Sequence, residues 1–327
     1  MAIAAARPHD LPFAFADRLR APIIVAPMFL VSCPAHAVAV CRAGLVGSYP
    51  AHSTRTREVF ADWLDETSEL LASAEAAGER PAPCAVNLVV HRTNPRMEGD
   101  LALCIEHRVP IILTSKGAPG EVFDEIHRYG GITFHDVASQ RHAEKALEAG
   151  ADALIAVAGG AGGHTGTINP FALVNEIREI TDKPIVLAGG MSNGRDVLAA
   201  QAMGATLAYL GTRFIATHES LAPPAYNDAL IRGVATDVHY TAALDGAPAN
   251  FLQPSMIEAG VDMAELAITP PGEVMGATKS KARYKGIWSA GHGVGATKAV
   301  QGAGELAEQL IGEYLDARAE LRERLAG

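Results

Sequence analysis

The chain has 327 residues, 49% of them hydrophobic, and a formal net charge of −10. Its length and apolar content suffice for a large packed core and exclude a disordered chain. The acidic balance, with Lys and Arg scattered, argues against nucleic acid or an anionic membrane as partner; any phosphate would be held by local backbone N–H groups.

The opening "MAIAAARPHDLPF" lacks the sustained apolar stretch of a secretory leader, and no run approaches a membrane span. The expectation is a soluble cytoplasmic protein. Cys33, Cys41, Cys84 and Cys104 form no Cys-x-x-Cys pair and no zinc-spaced cluster. Neither a metal site nor a disulfide framework is therefore expected.

In chain order, strand-like runs alternate with helix-period segments. The first two runs are "IIVAPM" (23–28) and "LVGSYPA" (45–51). The helix "EVFADWLDETSELL" (58–71) follows, with Phe60, Trp63, Leu64 and Leu71 on one face. Then come "CAVNLVV" (84–90), "PIILTSK" (110–116) and "ITFHDV" (132–137). "SQRHAEKALEAG" (139–150) opens on a serine cap and stops at glycine. After "ALIAVAG" (153–159), "PFALVNEIREIT" (170–181) puts Leu173, Val174, Ile177 and Ile180 on one face, with Asn169 as N-cap and Pro170 in the first turn. The last two runs are "PIVLAGG" (184–190) and "LAYLGTRF" (207–214).

Eight runs, mostly apolar on both faces and separated by helices, predict a parallel sheet covered by helices. Eight is the number that closes a (β/α)8 TIM barrel of roughly 250 residues. An open doubly wound sheet is the alternative, disfavoured because no G-x-G-x-x-G opens the first unit. "GHGVGA" (291–296) matches G-x-G-x-x-A but follows no predicted strand. From 216 to 285 the rhythm breaks into Pro- and Gly-rich chain with short helices. This predicts a smaller, mainly helical insertion domain after the eighth strand, forming a lid over a barrel built from 1–215 and 286–327. The tail (299–327) reads as a helix packing back through Leu306, Leu310, Ile311, Tyr314 and Leu315.

Active sites of such barrels lie at the carboxyl ends of the strands, often with phosphate near the last two. The seventh run ends "LAGGMSNGRD", with Gly189, Gly190 and Gly194; the eighth ends "LGTRF", with Leu210, Gly211 and Thr212. Adjacent glycines and a threonine hydroxyl can donate to phosphate oxygens, or simply make tight turns. The sixth run leads into "GGAGGHTG" (159–166). Its glycines, Gly162 among them, let backbone pass close to a flat ring, with His164 as general base or donor; the alternative is a histidine capping a turn. Pro27, Met28 and Phe29 end the first run and either face a ring or belong to the core. Asn87 interrupts an apolar run; a buried amide needs partners, so it bonds a cofactor or ties a loop. His135 and Asp136 end the fifth run, or are surface-loop polar residues, and are left unassigned. Trp288 and His292 line the cleft or pack.

Taken in order, "APM", "VNL" with Asn87, "AGGHTG" with His164, "LAGGMSNG", "LGTRF" and "IWSAG" resemble the nitronate monooxygenase family, long called 2-nitropropane dioxygenases, over essentially the whole chain. The resemblance implies an FMN-binding barrel with a lid. The phosphate would lie on Gly189, Gly190, Gly211 and Thr212; Asn87, Gly162 and backbone at Pro27, Met28 and Phe29 would face the flavin. His164 would be the active-site histidine, orienting the nitro oxygens of an alkyl nitronate or taking a proton from a neutral nitroalkane. The implied reaction consumes O2 and yields a carbonyl compound and nitrite, without a metal. Partners would be small molecules, with homo-oligomerisation left open. The chain departs from the pattern at Val157, where members commonly carry Gln or Asp, and at Asp136, where some carry lysine. The same glycine–histidine loop occurs in flavin-dependent enoyl-[acyl-carrier-protein] reductases and in NADH:quinone reductases. An NAD(P)H-dependent flavin reductase acting on an enoyl thioester or quinone therefore stays open, as does a flavin-binding protein without turnover.

Overall fold

The computed structural model describes residues 11–117, 120–244, 246–270, 273–274 and 286–326. Its frame is β1 (Ile23–Val25), α1 (Pro34–Arg42), β2 (Gly47–Pro50), α2 (Arg57–Ala76), β3 (Cys84–Val89), α3 (Met97–Glu106), β4 (Ile111–Ser115), α4 (Gly120–Arg128), β5 (Ile132–Val137), α5 (Gln140–Glu148) and β6 (Ala153–Val157). A two-residue strand β7 (Gly163–His164) follows, then α6 (Pro170–Arg178), β8 (Ile185–Ala188), α7 (Gly194–Ala202), β9 (Leu207–Leu210) and the short α8 (Thr212–Ile215). The eight long strands pair in parallel in the order β1-β9-β8-β6-β5-β4-β3-β2. A parallel bridge between Ile24 and Val46 joins the two ends, with Val25 N donating to Val46 O at 2.8 Å. The sheet closes into the expected barrel and leaves no edge open to other chains.

Alternation along each strand builds two cores. Ile24, Val46, Ala85, Leu113, Phe134, Ile155, Val186 and Leu207 pack inside the barrel. Leu154, Ala156, Ile185 and Leu187 face outward onto Leu173, Val174 and Ile177 of α6. The N-terminal segment completes the inner core: Phe13 stacks on Phe15 at 5.0 Å and lies 5.3 Å from Phe134. Sequence patterning assigned that segment no structural role.

The predicted caps form. Ser139 and Asn169 accept from His142 N and Phe171 N, and Asn193 makes a reciprocal capping box with Asp196 at the start of α7. All four cysteines are buried and unpaired. Among the described residues no helix is long and apolar enough to cross a membrane.

After the barrel come α9 (Pro224–Arg232), β10 (Val238–Thr241), β11 (Ala249–Leu252), α10 (Gln253–Glu258) and α11 (Met263–Ile268), with α12 (Ala303–Ala326) as the tail. The insertion is thus not purely helical. β10 and β11 pair antiparallel, and β11 adds β7 as a third strand. Residues 271–272 and 275–285 of the expected insertion lie outside the described residues. "GHGVGA" forms a 3₁₀ turn at His292–Ala296 and is not a strand-to-helix phosphate loop. On α12, Leu306, Leu310, Ile311 and Tyr314 are buried as expected, whereas Leu315 is 47% exposed because it lies one position round the helix from Tyr314.

The contact of α7 with α12 leaves no room for a side chain. A Cβ at Gly194 would stand 2.1 Å from Tyr314 N and 2.3 Å from Glu313 C, both backbone atoms. Gly194→Ala should therefore cost about 1–3 kcal/mol, the usual range for overpacking. The check is the urea unfolding midpoint; an unchanged midpoint would show that the helices separate freely.

Candidate active site

The glycines after β8 and β9 flank an open space at the carboxyl ends of the strands. Gly189 has φ +130°, and a Cβ there would lie 3.0 Å from Gly159 O. Gly190 has φ +73° and nothing within 4 Å of where its Cβ would stand. Across the cleft, a Cβ on Gly211 would touch Ala26 Cβ at 3.5 Å and Met28 Sδ at 3.6 Å. Among the described residues the amides of Gly190, Met191 and Gly211 donate to no protein group. Free amides beside an open space, close to the N-terminus of α7, suit a phosphate. Thr212 Oγ1 accepts from Gly291 N at 2.9 Å, which leaves its hydroxyl hydrogen to donate. Leu210 differs from the rest of this set. Its side chain is buried outside the barrel with Phe214 and Leu310, and its carbonyl accepts from Ala26 N. Only its backbone borders the cleft.

The glycine loop after β6 is shaped largely by other backbone. A Cβ on Gly162 would lie 2.8 Å from Gly291 N, one on Gly160 2.9 Å from His292 Nδ1, and one on Gly166 2.5 Å from Val157 O. His292 N in turn donates to Gly160 O at 2.9 Å. A Cβ on Gly159 would lie 3.2 Å from Thr167 O, so four of the five glycines admit neighbouring protein and approach to a ligand ring is not needed to explain them. Gly163, at φ +67° with nothing within 4 Å, faces open space. The loop continues into β7, where His164 pairs with Ala249 and Gly163 with Asn250. Asn250 Nδ2 donates to Ala161 O at 2.7 Å.

His164 meets Lys116, which ends β4: Nζ lies 3.1 Å from Nε2. His52, in a 3₁₀ turn after β2, stacks on Phe29 with ring centroids 4.9 Å apart. Burial first, then the Lys116 charge, lowers its pKa to about 4, so this ring is neutral at pH 7. Phe29 itself is 56% exposed, so it is not core. Pro27 and Met28 are half-buried beside it. Asn87 Nδ2 donates to Leu113 O at 3.0 Å and to Ser115 Oγ at 3.3 Å, tying β3 to β4 directly under Lys116. Trp288 packs, stacked on Tyr226 at 4.7 Å.

Two residues left unassigned in the sequence, His135 and Asp136, belong to β5 and not to a surface loop. His135 points outward into the helix layer, 2.8 Å from Thr114 Oγ1 and edge-on to Phe123; burial lowers its pKa to about 4. Asp136 takes the opposite parity and points into the barrel, where its charge acts on Tyr209. Burial pushes its pKa up to about 7. Val157 and Tyr209 pack against the same inner core. Asp136 thus places a polar group on the strand beside Val157, and Lys116 follows the strand before Asp136. The visible signal for Lys116 was a charged residue ending an apolar strand just before Gly117.

This geometry defines a (β/α)8 barrel with a candidate site at the carboxyl ends of the strands. The nitronate monooxygenase family model matches residues 86–313, and the chain belongs to that family. A nitronate monooxygenase from Paraburkholderia phytofirmans is 30% identical over 92% of this chain and 94% of its own length. Among solved structures, nitroalkane oxidase from Streptomyces ansochromogenes superposes with TM-score 0.78 at 29% identity, covering 94% of this chain and all of that one. A point mutant of FabK from Thermotoga maritima gives 0.75 at 26%, covering 94% of this chain and 96% of that one. Against several other curated relatives the chain spans 44% to 64% of their length. Membership makes this chain a flavin-dependent oxidoreductase.

The raised pKa of Asp136 carries a pH signature. Its folded value near 7 exceeds the roughly 3.9 of an unfolded aspartate. Its contribution to stability is therefore full below about pH 4 and is lost as the pH rises through 7. Asp136→Asn should gain stability relative to the parent between about pH 4 and pH 7. Paired urea titrations across that window check this; parallel curves would count against a buried acid.

Proposed function

We propose that the chain is an FMN-dependent nitronate monooxygenase that oxidises alkyl nitronates with O2 to carbonyl compounds and nitrite. The carrying observation is the pairing of open space at Gly190, flanked by the undonated amide of Gly211, with a cationic rim, Lys116 against His164. One end suits a phosphate and the other an anionic substrate. In this reading Gly189, Gly190, Gly211 and Thr212 hold the phosphate, while Pro27, Met28, Phe29, Asn87 and Gly162 border the ring. FMN rather than a dinucleotide fits because no strand-to-helix G-x-G-x-x-G accompanies the cradle. When bound, the flavin would supply electron transfer and the chemistry with O2. His164 and Lys116 would orient the two nitronate oxygens, and residues 216–285 would act as a lid that limits water.

An NAD(P)H-dependent flavin reductase acting on an enoyl thioester or quinone is the second reading, favoured by the likeness to FabK. Anaerobic titration separates the two. Bleaching of the flavin by a nitronate alone supports the monooxygenase, whereas rapid bleaching only by NADH or NADPH supports the reductase.

The cradle has its own test. Gly190→Val places a branched side chain in the open space and strains a left-handed backbone. The variant should purify with little flavin while its far-UV circular dichroism keeps the barrel signature. Chromatography of the denatured parent should release FMN. A fully yellow Gly190→Val protein would place the phosphate elsewhere.

A further inference from the structure

Lys116 is unusual in three independent respects. Its backbone is left-handed, φ +56°, a conformation that costs a non-glycine residue free energy and that side chains other than Asn and Asp seldom adopt. Gly117 follows at φ +99°, and a Cβ there would lie 3.0 Å from Val90 O, so the chain turns sharply against the end of β3. The ammonium group, in a chain of net charge −10, makes no ion pair with a carboxylate among the described residues. Its described polar contact is His164 Nε2 at 3.1 Å. Strain held at a functional site points to a side chain whose placement matters more than its backbone cost.

The contact also assigns the ring. Lysine has donors and no acceptor, so a protonated Lys116 donates and Nε2 accepts. His164 then carries its hydrogen on Nδ1. A proton added at Nε2 would displace the lysine and set two cations side by side. Two described basic groups near this pair are themselves neutral or paired. His52 is neutral, and Arg96, which also acts on His52, is paired with Asp100 at 2.9 Å. His52, which feels the charge of Lys116, is stacked on Phe29. A small anion with two oxygens could accept from both Lys116 and the His164 ring in such a setting.

We propose that Lys116 is the anion anchor of this site and that, by occupying His164 Nε2, it selects substrates that are already ionised over neutral ones. For the choice of substrate this rests on the nitronate reading above; the anion site itself does not. The pre-formed nitronate accepts from Lys116. A neutral nitroalkane must lose a proton, and the only lone pair His164 offers is already engaged. Lys116 is thus a specificity-determining residue for the reaction, and His164 acts as an orienting donor in place of a base.

Lys116→Gly is the informative variant, because glycine relieves the left-handed backbone while removing the ammonium. Lys116→Arg keeps the charge. The holoenzyme of each is titrated with nitrate, a planar oxyanion probe, followed by perturbation of the flavin spectrum and by calorimetry. Histidine-labelled protein followed by NMR, with His164→Asn to assign the signal, reports the His164 ring. Lys116→Gly should unfold no more easily than the parent, yet bind nitrate about tenfold or more weakly. Its KM for a nitronate should rise about tenfold with a smaller change in kcat, and its discrimination against the neutral nitroalkane should shrink. The His164 ring should take its proton at a pH about one unit or more higher, as expected when a neighbouring cation is removed. Lys116→Arg should restore nitrate binding in large part. Unchanged nitrate binding and an unmoved His164 titration in Lys116→Gly would overturn the proposal. If no variant, the parent included, oxidises a nitronate but Lys116→Gly still loses nitrate, the anchor stands and the nitronate reading fails.

Discussion

Backbone lying directly on backbone is the constraint from which the site follows. The loop after β6 and the segment at 290–292 interlock through Gly160, Gly162 and Gly291, with hydrogen bonds from His292 N to Gly160 O and from Gly291 N to Thr212. No side chain larger than hydrogen fits at these approaches. That contact ties the carboxyl ends of β6 and β9 to the chain returning after the insertion. It also aims the loop so that its next two residues become a strand of the small sheet. His164 is consequently held by ladder hydrogen bonds, which locate it more rigidly than a free loop would.

The same contact explains why the site divides into two electrostatic halves. On the side of β8, β9 and α7, the donors are uncharged amides left without protein acceptors. Such donors hold a phosphate without charge on the protein. On the side of β2, β4 and β7, the donor is a full ammonium, with an imidazole as its acceptor. The chain is acidic overall, so the positive potential at that rim is local. It favours anions only at short range, within about one Debye length at physiological salt.

Legibility in the sequence follows the range of the interaction concerned. The barrel was readable because each strand and helix announces itself within a dozen residues, by apolar runs, by helical spacing and by caps such as Asn169. Gly189, Gly190 and Gly211 were singled out as candidates because glycines at strand ends have a local signature. Lys116 and His52 were not, since their significance comes from residues on other strands that sequence spacing does not bring together. Asp136 was left unassigned, although period-two parity could have placed it. Phe134 faces the barrel interior and Asp136 has the same parity, so the acid had to point inward and His135 outward. The glycines of "GGAGGHTG" suggested close approach to a flat ring, but what approaches Gly160 and Gly162 is the returning chain, and what approaches Gly159 and Gly166 is backbone of the loop and barrel.

Parity also accounts for how the chain departs from its family's pattern without losing polarity at the site. An apolar Val157 beneath the glycine loop removes a polar group from β6, but the barrel interior is shared. Asp136 on the adjacent β5 contributes a carboxyl to the same interior, close enough for its charge to act on Tyr209 across the barrel on β9. A carboxyl placed there is pushed toward its neutral form by burial, so it can serve as a hydrogen-bond donor at neutral pH, as a glutamine amide can. The polarity that Asp136 brings to the barrel interior therefore depends on pH.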